Sequence, residues 1–387
     1  GGGTLGTTIY TDIETHEVLY TDSGEQENVL PYGGCTCIIT HKDRLWIGGG
    51  EDRELIWYSK PRADGRAAEF TLGQQIRIPG QKVIGLGSMD NLLYVFCNRG
   101  IFVIDGEGPN AVGDPASGSF SEPVPINLSI GCEQPRSVIS TPTGIMFRAD
   151  PGIYIVSRAA RAVEFVGAPV IDSTASYPDI AAARIVPRKT QVRFSCTQDS
   201  RTANSPGIVL VYDWEEGKWS KWAYANVDHM SDIITWNNHN TAMLSRTGDL
   251  FLETDDSFID DTEPYSMMVE TGWLSFGRLQ GYKRIRKIGM LLEKLEVHGL
   301  AIKMYFNYTK SGLSATKVFD YATINGMANP EMLRITVPYQ KQPSMKIRLV
   351  ETQGPYNPNT AGFVLKNFAF EIGMMPGNVR LPQKQTA

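Results

Sequence analysis

The stretch Gly207–Tyr224, "GIVLVYDWEEGKWSKWAY", carries the pattern that decides the fold. It opens with apolar β-formers, reaches Tyr212-Asp213, turns through Glu215-Glu216-Gly217 and returns with Trp219 and Trp222. β-Branched and aromatic residues suit a pleated, half-buried strand, and Gly supplies the turn. The reading is a β-hairpin with two indoles on its return strand. They are three residues apart, so a regular strand points them to opposite faces. Indoles can stack on a sugar. The expectation here is that Trp214, Trp219 and Trp222 are packing residues, with at least one of the latter two wedged between adjacent sheets.

Four other segments repeat the theme of strand, polar tight turn and strand: "RLWIGGGEDRELIWYS" (44–59), "LLYVFCNRGIFVID" (92–105), "GIMFRADPGIYIVS" (144–157) and "TAMLSRTGDLFLET" (241–254). A short apolar strand precedes each hairpin: "CTCIIT" (35–40), "KVIGLG" (82–87), "SVIST" (137–141), "ARIVP" (183–187) and "SDIITW" (231–236). The repeat is roughly 45–55 residues, the period of a four-stranded propeller blade. The N-terminal "TTIYTDIETHEVLYTD" (7–22) reads as one more hairpin, which makes five or six blades. The segment "YPDIAAARIVP" (177–187) is the one place where a turn or two of helix is expected.

The acidic, Pro-containing stretch "TDDSFIDDTEPYS" (254–266) marks a change of texture. Beyond it, strands alternate with period 2. One face is shared by Leu300, Ile302, Met304, Phe306 and Tyr308; by Leu333, Ile335 and Val337; by Met345, Ile347 and Leu349; and by Val364, Phe368, Phe370 and Ile372. Strands with one buried face read as a sandwich or jelly roll. The expected chain is therefore all-β, with a β-propeller over 1–264 and a β-sandwich over 265–387.

Composition agrees: 42% hydrophobic and 20% charged, with 38 Gly and 22 Pro among 387 residues. No apolar run approaches the ~20 residues that span a bilayer. The five Cys have no regular spacing, which argues against a disulfide framework and for folding in a reducing compartment. The chain starts Gly1-Gly2-Gly3 rather than Met, which reads as a missing or processed start, or as a Gly-rich linker. The net charge of −5 hides an asymmetry: residues 265–387 hold 16 Lys+Arg against 7 Asp+Glu, and residues 1–264 hold 21 against 35. Such opposite parts suit electrostatic docking between subunits.

Searching for chemistry yields little. Cys35-x-Cys37 has only His41 nearby, too few ligands for zinc, and the pair reads as buried strand residues. The five His fall in no metal-binding pattern, and no nucleophile elbow, phosphate loop or dinucleotide fingerprint is present. Asp255, Asp256, Asp260, Asp261 and Glu263 lack calcium-loop spacing and read as a solvated loop. No catalytic, cofactor-binding or metal residue is assigned, and no cofactor is expected. The most basic run, "GYKRIRKIGMLL" (281–292), holds Lys283, Arg284, Arg286 and Lys287. It could meet phosphates or an acidic neighbour, or simply form a solvated strand face.

With the hairpins and the C-terminal sandwich in hand, the chain resembles the tail nozzle, or tail hub, proteins of short-tailed bacteriophages, of the tail tubular protein B type and the packaged-DNA stabilisation type. The resemblance rests on "GIMFRADPGIYIV" (144–156), "VLVYDWEEGKW" (209–219), "ETGWLSFGRLQGYKRIRKIGM" (270–290), "SMKIRLVE" (344–351) and "GFVLKNFAFEIG" (362–373). Family members usually carry an N-terminal segment before the propeller, which is not readable here. The resemblance implies a homo-hexameric ring below the portal and adaptor rings. That ring carries and gates the DNA conduit, with tail fibres or spikes attached. Double-stranded DNA would pass without sequence-specific binding. The protein would assemble in the host bacterial cytoplasm, reside in the virion tail, and not be an enzyme. The alternative is a kelch- or lectin-like propeller binding module, against which stands the single Gly48-Gly49-Gly50 step. A glycan-degrading tail enzyme is a third reading.

Overall fold

The computed structural model describes residues 34–373, except 63–67, 72, 111–117, 187–188, 203–204, 224–228, 237–239, 255–258, 261–262, 265, 276–282, 295–297, 309–312, 327–331, 340 and 353–361. The chain divides into two compact units, Gly1–Glu253 and Thr254–Ala387. The hairpin expected at 7–22 lies outside the described residues.

The first unit is a succession of antiparallel sheets, each laid down in chain order. The first holds β1 (Cys37–His41), β2 (Arg44–Gly48), β3 (Leu55–Tyr58) and β4 (Gln75–Arg77); the second β5 (Val83–Met89), β6 (Leu92–Cys97), β7 (Ile101–Ile104) and β8 (Val124–Asn127). The third holds β9 (Ile139–Thr141), β10 (Gly144–Ala149), β11 (Gly152–Ser157) and β12 (Val163–Phe165). A short helix, α1 (Ile171–Ser176), leads to the fourth: β13 (Asp179–Val186), β14 (Gln191–Thr197), β15 (Gly207–Asp213) and β16 (Lys218–Trp222). The fifth has three described strands, β17 (Met230–Trp236), β18 (Asn240–Ser245) and β19 (Leu250–Leu252). First strands of successive sheets approach one another, as strands nearest a common axis do. These are the blades of a propeller, five in number among the described residues.

Local chemistry sets the hairpins. Lys42-Asp43 and Asp90-Asn91 take positive φ at the two central positions of their turns, the geometry that matches strand twist. In the β15–β16 turn, the Asp213 carboxylate accepts from the Glu215 and Glu216 amides at 3.0 and 3.1 Å, and Gly217 takes φ +63°. The helix expected within 177–187 is instead β13. It pairs with β14 within the sheet and is packed by β9 and β17 of the adjacent sheets, so four consecutive residues, Ile180–Ala183, are buried. The helix sits just upstream, at α1.

Each pair of successive sheets shares an apolar layer. Trp46, Ile56 and Tyr58 meet Leu93, Val95 and Phe102. Tyr94 and Phe96 meet Phe147 and Val156. Met146 and Ile155 meet Phe194 and Leu210. Val209 and Val211 meet Met230, Ile233 and Met243. Alternation along one strand thus feeds two layers: on β6, Leu93 and Val95 face one neighbour while Tyr94 and Phe96 face the other.

The second unit opens with the hairpin β20 (Ile259–Asp260) and β21 (Glu263–Pro264). Its core lies between two sheets. One runs β22 (Met268–Glu270), β28 (Met345–Thr352), β24 (Gly299–Phe306) and β25 (Ser314–Phe319). In the other, β23 (Lys283–Lys294) pairs on one edge with β26 (Met332–Thr336) and β27 (Lys341–Gln342), and on the other with β29 (Phe363–Gly373). A short α2 (Tyr321–Asn325) is capped by Asp320, which accepts from the Thr323 amide at 2.7 Å. Ile288, Ile302, Met304, Ile335 and Ile347 fill the space between the sheets. This is the expected sandwich.

Two expected faces break for identifiable reasons. Tyr308 is exposed, because Asn307 and Tyr308 take positive φ and end β24 at Phe306. Val364 is exposed while Phe363 and Leu365 join the core, because a bulge near Leu292 shifts the phase of β29 before Phe368 and Phe370.

Phe96 is fully buried against Phe147, with ring centroids 5.0 Å apart. Phe96→Ala should cost about 3–5 kcal/mol, the range for truncating a core aromatic, read from the midpoint of denaturant unfolding.

Candidate functional site

The indoles of the fourth sheet go to separate layers. Trp219 packs with Tyr212 and Phe194 at ring separations of 4.8 and 6.0 Å, and its Nε1 donates to the Val166 carbonyl at 2.8 Å. That layer joins the third and fourth sheets, and Trp214 packs against it too. Trp222 packs in the layer joining the fourth and fifth. The guanidinium of the fully buried Arg193 lies 4.3 Å from the Trp222 ring centroid. Trp219 and Trp222 thus do structural work on opposite faces.

The same layer holds a charged clasp. Arg193 Nη1 and Nη2 donate to the two carboxylate oxygens of Glu253 at 2.6 and 3.1 Å, and Lys189 Nζ reaches Glu253 at 2.7 Å. Arg193 belongs to β14, and Glu253 follows β19, so the clasp ties the end of the fifth sheet to the fourth. Burial alone would raise the Glu253 carboxyl; the hydrogen bonds and charges of Arg193 and Lys189 outweigh it and hold the group below the usual carboxylate range. A bidentate pair beside an aromatic face is the geometry in which Arg tolerates burial.

The basic run lies on β23. Arg284, Arg286 and Lys287 are exposed, and the side chain of Lys283 lies outside the described residues. A bulge between Ile285 and Lys287 explains two consecutive outward cations: Arg286 is the extra residue, so Lys287 also faces solvent while Ile285 and Ile288 stay in the core. Glu371 sits 3.9 Å from Arg286 and 3.8 Å from Lys287. Exposed pairs at such distances are worth about 0–1 kcal/mol. Arg286 and Lys287 thus lie on a solvated strand face, their charge partly balanced by Glu371.

A second surface, which sequence reasoning missed, is the outer face of the β22-β28-β24-β25 sheet. Register sets Met268, Val350, Ala301 and Val318 side by side across all four strands. Met268 and Val318 are 55% and 61% exposed. The next row is Glu270, Arg348, Lys303 and Thr316. Arg348 Nε donates to Glu270 at 2.6 Å, Lys346 also pairs with Glu270, and Lys303 and Arg348 flank the Tyr305 ring at 5.3 and 5.9 Å. Burial would raise the Glu270 carboxyl, but those two cations hold it low. An apolar band beside a basic band is chemistry suited to a protein contact. The pattern was visible as alternate residues of each strand, but strand order, which aligns them, was not.

Among the described residues no catalytic constellation emerges. Among the described residues no three His, Cys, Asp or Glu side chains group as metal ligands would. His41 pairs with Ser88 at 2.8 Å, His229 with the Ser205 carbonyl at 3.2 Å, and His298 with Glu351 at 3.0 Å; His16 and His239 lie outside the described residues. Cys35 is exposed ahead of β1, contrary to the expected burial, while burial pushes the Cys37 thiol up to about 12. Of the acidic stretch, Asp260 and Glu263 fall in a hairpin and no side chain is described. A cleft of about 650 Å³ opens beside Tyr58, Gln74, Arg77, Phe120 and Glu122, but Arg77 is already engaged by Asp52 and Glu54. Among the described residues no helix is long and apolar enough to cross a membrane.

No family model and no curated protein matches the chain. Solved structures do. An exo-β-1,3-galactanase from Phanerochaete chrysosporium is 10% identical, covering 89% of this chain and 97% of its own, with a TM-score of 0.31. A glycoside hydrolase family 43 arabinoxylan arabinofuranohydrolase from Bacillus subtilis is 13% identical, covering 88% and 79%, with a TM-score of 0.22. Both names are those of enzymes, so the expectation that the chain is not an enzyme is not upheld, while likeness at this level assigns it no activity. Their activities and substrates belong to those proteins and are not carried over at such identities and scores.

Trp219→Ala should cost about 3 kcal/mol of stability, in the range for losing a large packed aromatic, and circular dichroism during denaturant titration reads it. Glu253→Gln leaves buried Arg193 without its counter-charge and should cost on the order of 3 kcal/mol at pH 7. Because the folded Glu253 value is depressed, its contribution is present above the unfolded carboxyl pKa and lost as pH falls through the folded one. The wild type should therefore lose more stability than the Gln variant on acidification from neutral pH, as measured by thermal unfolding at each pH.

Proposed function

We propose that the chain is a structural component of the tail of a short-tailed bacteriophage: a nozzle or hub protein that assembles into a ring, of six copies in the family it resembles, around the DNA exit path. The observation that carries this reading is the outer face of the β22-β28-β24-β25 sheet. The solvent side of a sandwich normally alternates to polar residues, yet here an apolar row crosses four strands with Met268 and Val318 more than half exposed. Covering such a face with a neighbour removes apolar surface from water, which favours association. A second copy of the chain is the neighbour in a ring, which uses the same two patches at every junction.

Charge supports the same reading. An acidic propeller part and a basic sandwich part attract their counterparts on adjacent subunits or adjacent tail rings. The exposed Arg284, Arg286 and Lys287 offer a contact for a tail partner, on the adaptor and portal side or the fibre and spike side. The duplex would pass through the ring without base contacts, and the protein would be found in the virion tail after assembly in the host cytoplasm.

Light scattering and negative-stain imaging of the purified chain, alone and with tail components, test this. A ring with a channel wide enough for duplex DNA is expected, and Val318→Asp should shift the mass toward the monomer while leaving the fold intact. A chain that stays monomeric with every tail component would overturn the reading.

A further inference from the structure

The sandwich has a second outer face, on the sheet where β23 lies between β26 and β29. Leu333 and Ile335 of β26, Ile285, Ile288 and Met290 of β23, and Phe368 and Phe370 of β29 point into the core. Their alternates share the outer face. Register sets Thr336, Lys287 and Glu371 in one row, Arg334, Gly289 and Ala369 in the next, and Met332, Leu291 and Asn367 in the third. Arg284 and the bulged Arg286 extend the first row. Among the described side chains these rows hold four cations and one acid. Arg334 comes from a segment distant in sequence from the basic run; its Nη2 reaches the Met332 sulfur at 3.7 Å and, among the described residues, no carboxylate. At the other end of the face stand Leu291 and Met332, 42% and 52% exposed. Between the two ends lies Gly289. Its pairing is regular, its φ is not positive, and a Cβ there would meet nothing nearer than the Ala369 Cβ at 3.5 Å. Glycine weakens a strand interior, and one that its own backbone does not require fits close approach by another chain.

We propose that this face docks on the acidic first unit of a second copy of the chain. Carboxylates of that copy meet Lys287 and Arg334, and a small apolar side chain seats on Gly289 against Leu291 and Met332. The mixture of groups selects a polypeptide. Nucleic acid would engage the cations but not the apolar pair, and no aromatic side chain stands in these rows to stack a base. A protein surface supplies carboxylates and apolar groups together. Charge selects the first unit of another copy: residues 1–264 hold 35 Asp+Glu against 21 Lys+Arg, and residues 265–387 hold 7 against 16. Two copies of the basic face would set cation against cation, so a two-fold contact through it is disfavoured. The contact is therefore heterologous and repeats head to tail. The inference rests on the ring reading above for the presence of a second copy, and it adds which face and which sign of charge make one side of the junction.

Sedimentation velocity of the full chain, alone and with tail components, tests it with Arg334→Glu and Gly289→Leu. Both positions have room for the change, and circular dichroism checks that each variant is folded. Each should weaken association between copies by about tenfold or more, the scale of losing one central contact. Added salt should weaken the wild type more than Arg334→Glu, whose attraction is already reduced. With Met332 replaced by a photo-crosslinking amino acid, a mixture of isotope-labelled and unlabelled chains should give links from the second unit of one copy to the first unit of another. Unchanged association in both variants, or links only within one chain or only to a tail component, would overturn the proposal. Random-sequence duplex DNA titrated into the same samples covers the remaining class. If Arg334→Glu abolishes DNA binding and leaves the mass unchanged, the face belongs to nucleic acid and the proposal falls. Val318→Asp separates this junction from the ring itself. If that variant disperses the assembly while Arg334→Glu and Gly289→Leu leave it whole, the ring stands and this junction is wrong. A wild type that stays monomeric in every condition removes both.

Discussion

A four-stranded sheet with apolar side chains on both faces cannot stand alone in water, and the architecture of the first unit follows from that constraint. On β6, β10 and β15, neighbouring residues of one strand supply different layers, so each of these sheets is half of two interfaces. Burial of this kind is worth ~25 cal/mol per Å² of apolar surface removed from water, and it is realised only when both neighbours are in place. Stability is therefore shared between blades rather than owned by any one of them. The indoles show the arrangement in miniature: Trp219 closes one layer and Trp222 the next, three residues along the same strand.

Polar groups are admitted to these layers on terms set by geometry. Arg193 has no exposed surface, yet its charge is met by both oxygens of Glu253 and its plane lies near the Trp222 ring. Replacing such a pair by apolar residues is often neutral, whereas removing one partner is costly. The clasp thus fixes which part of the fifth sheet meets the fourth more than it adds net stability. In the second unit, His298 and Glu351 form a buried pair that also anchors the Phe363 amide at the start of β29.

The sequence exposed the fold more readily than the surface chemistry. Turn residues and period-2 alternation located the central hairpins and most of the sandwich strands, because both signals are local. The misreadings came where tertiary context decides. "DIAAARIV" has the small residues of a helix, but β13 is covered on both faces and takes the strand. The phase of β29 changes at a bulge that depends on its partner β23. The face formed by Met268, Val350, Ala301 and Val318 brings together four distant segments, so strand order had to be known before the row existed. No compact motif carries a function, and the tail-protein proposal rests on resemblance and on surface chemistry.

Native-state hydrogen exchange across the first unit, followed as denaturant is raised, tests shared stability most directly. If each sheet depends on both neighbours, the core amides of β6, β10 and β14 should converge on one opening free energy and be lost together. Three separate isotherms, with each sheet opening on its own while its neighbours stay closed, would contradict the account.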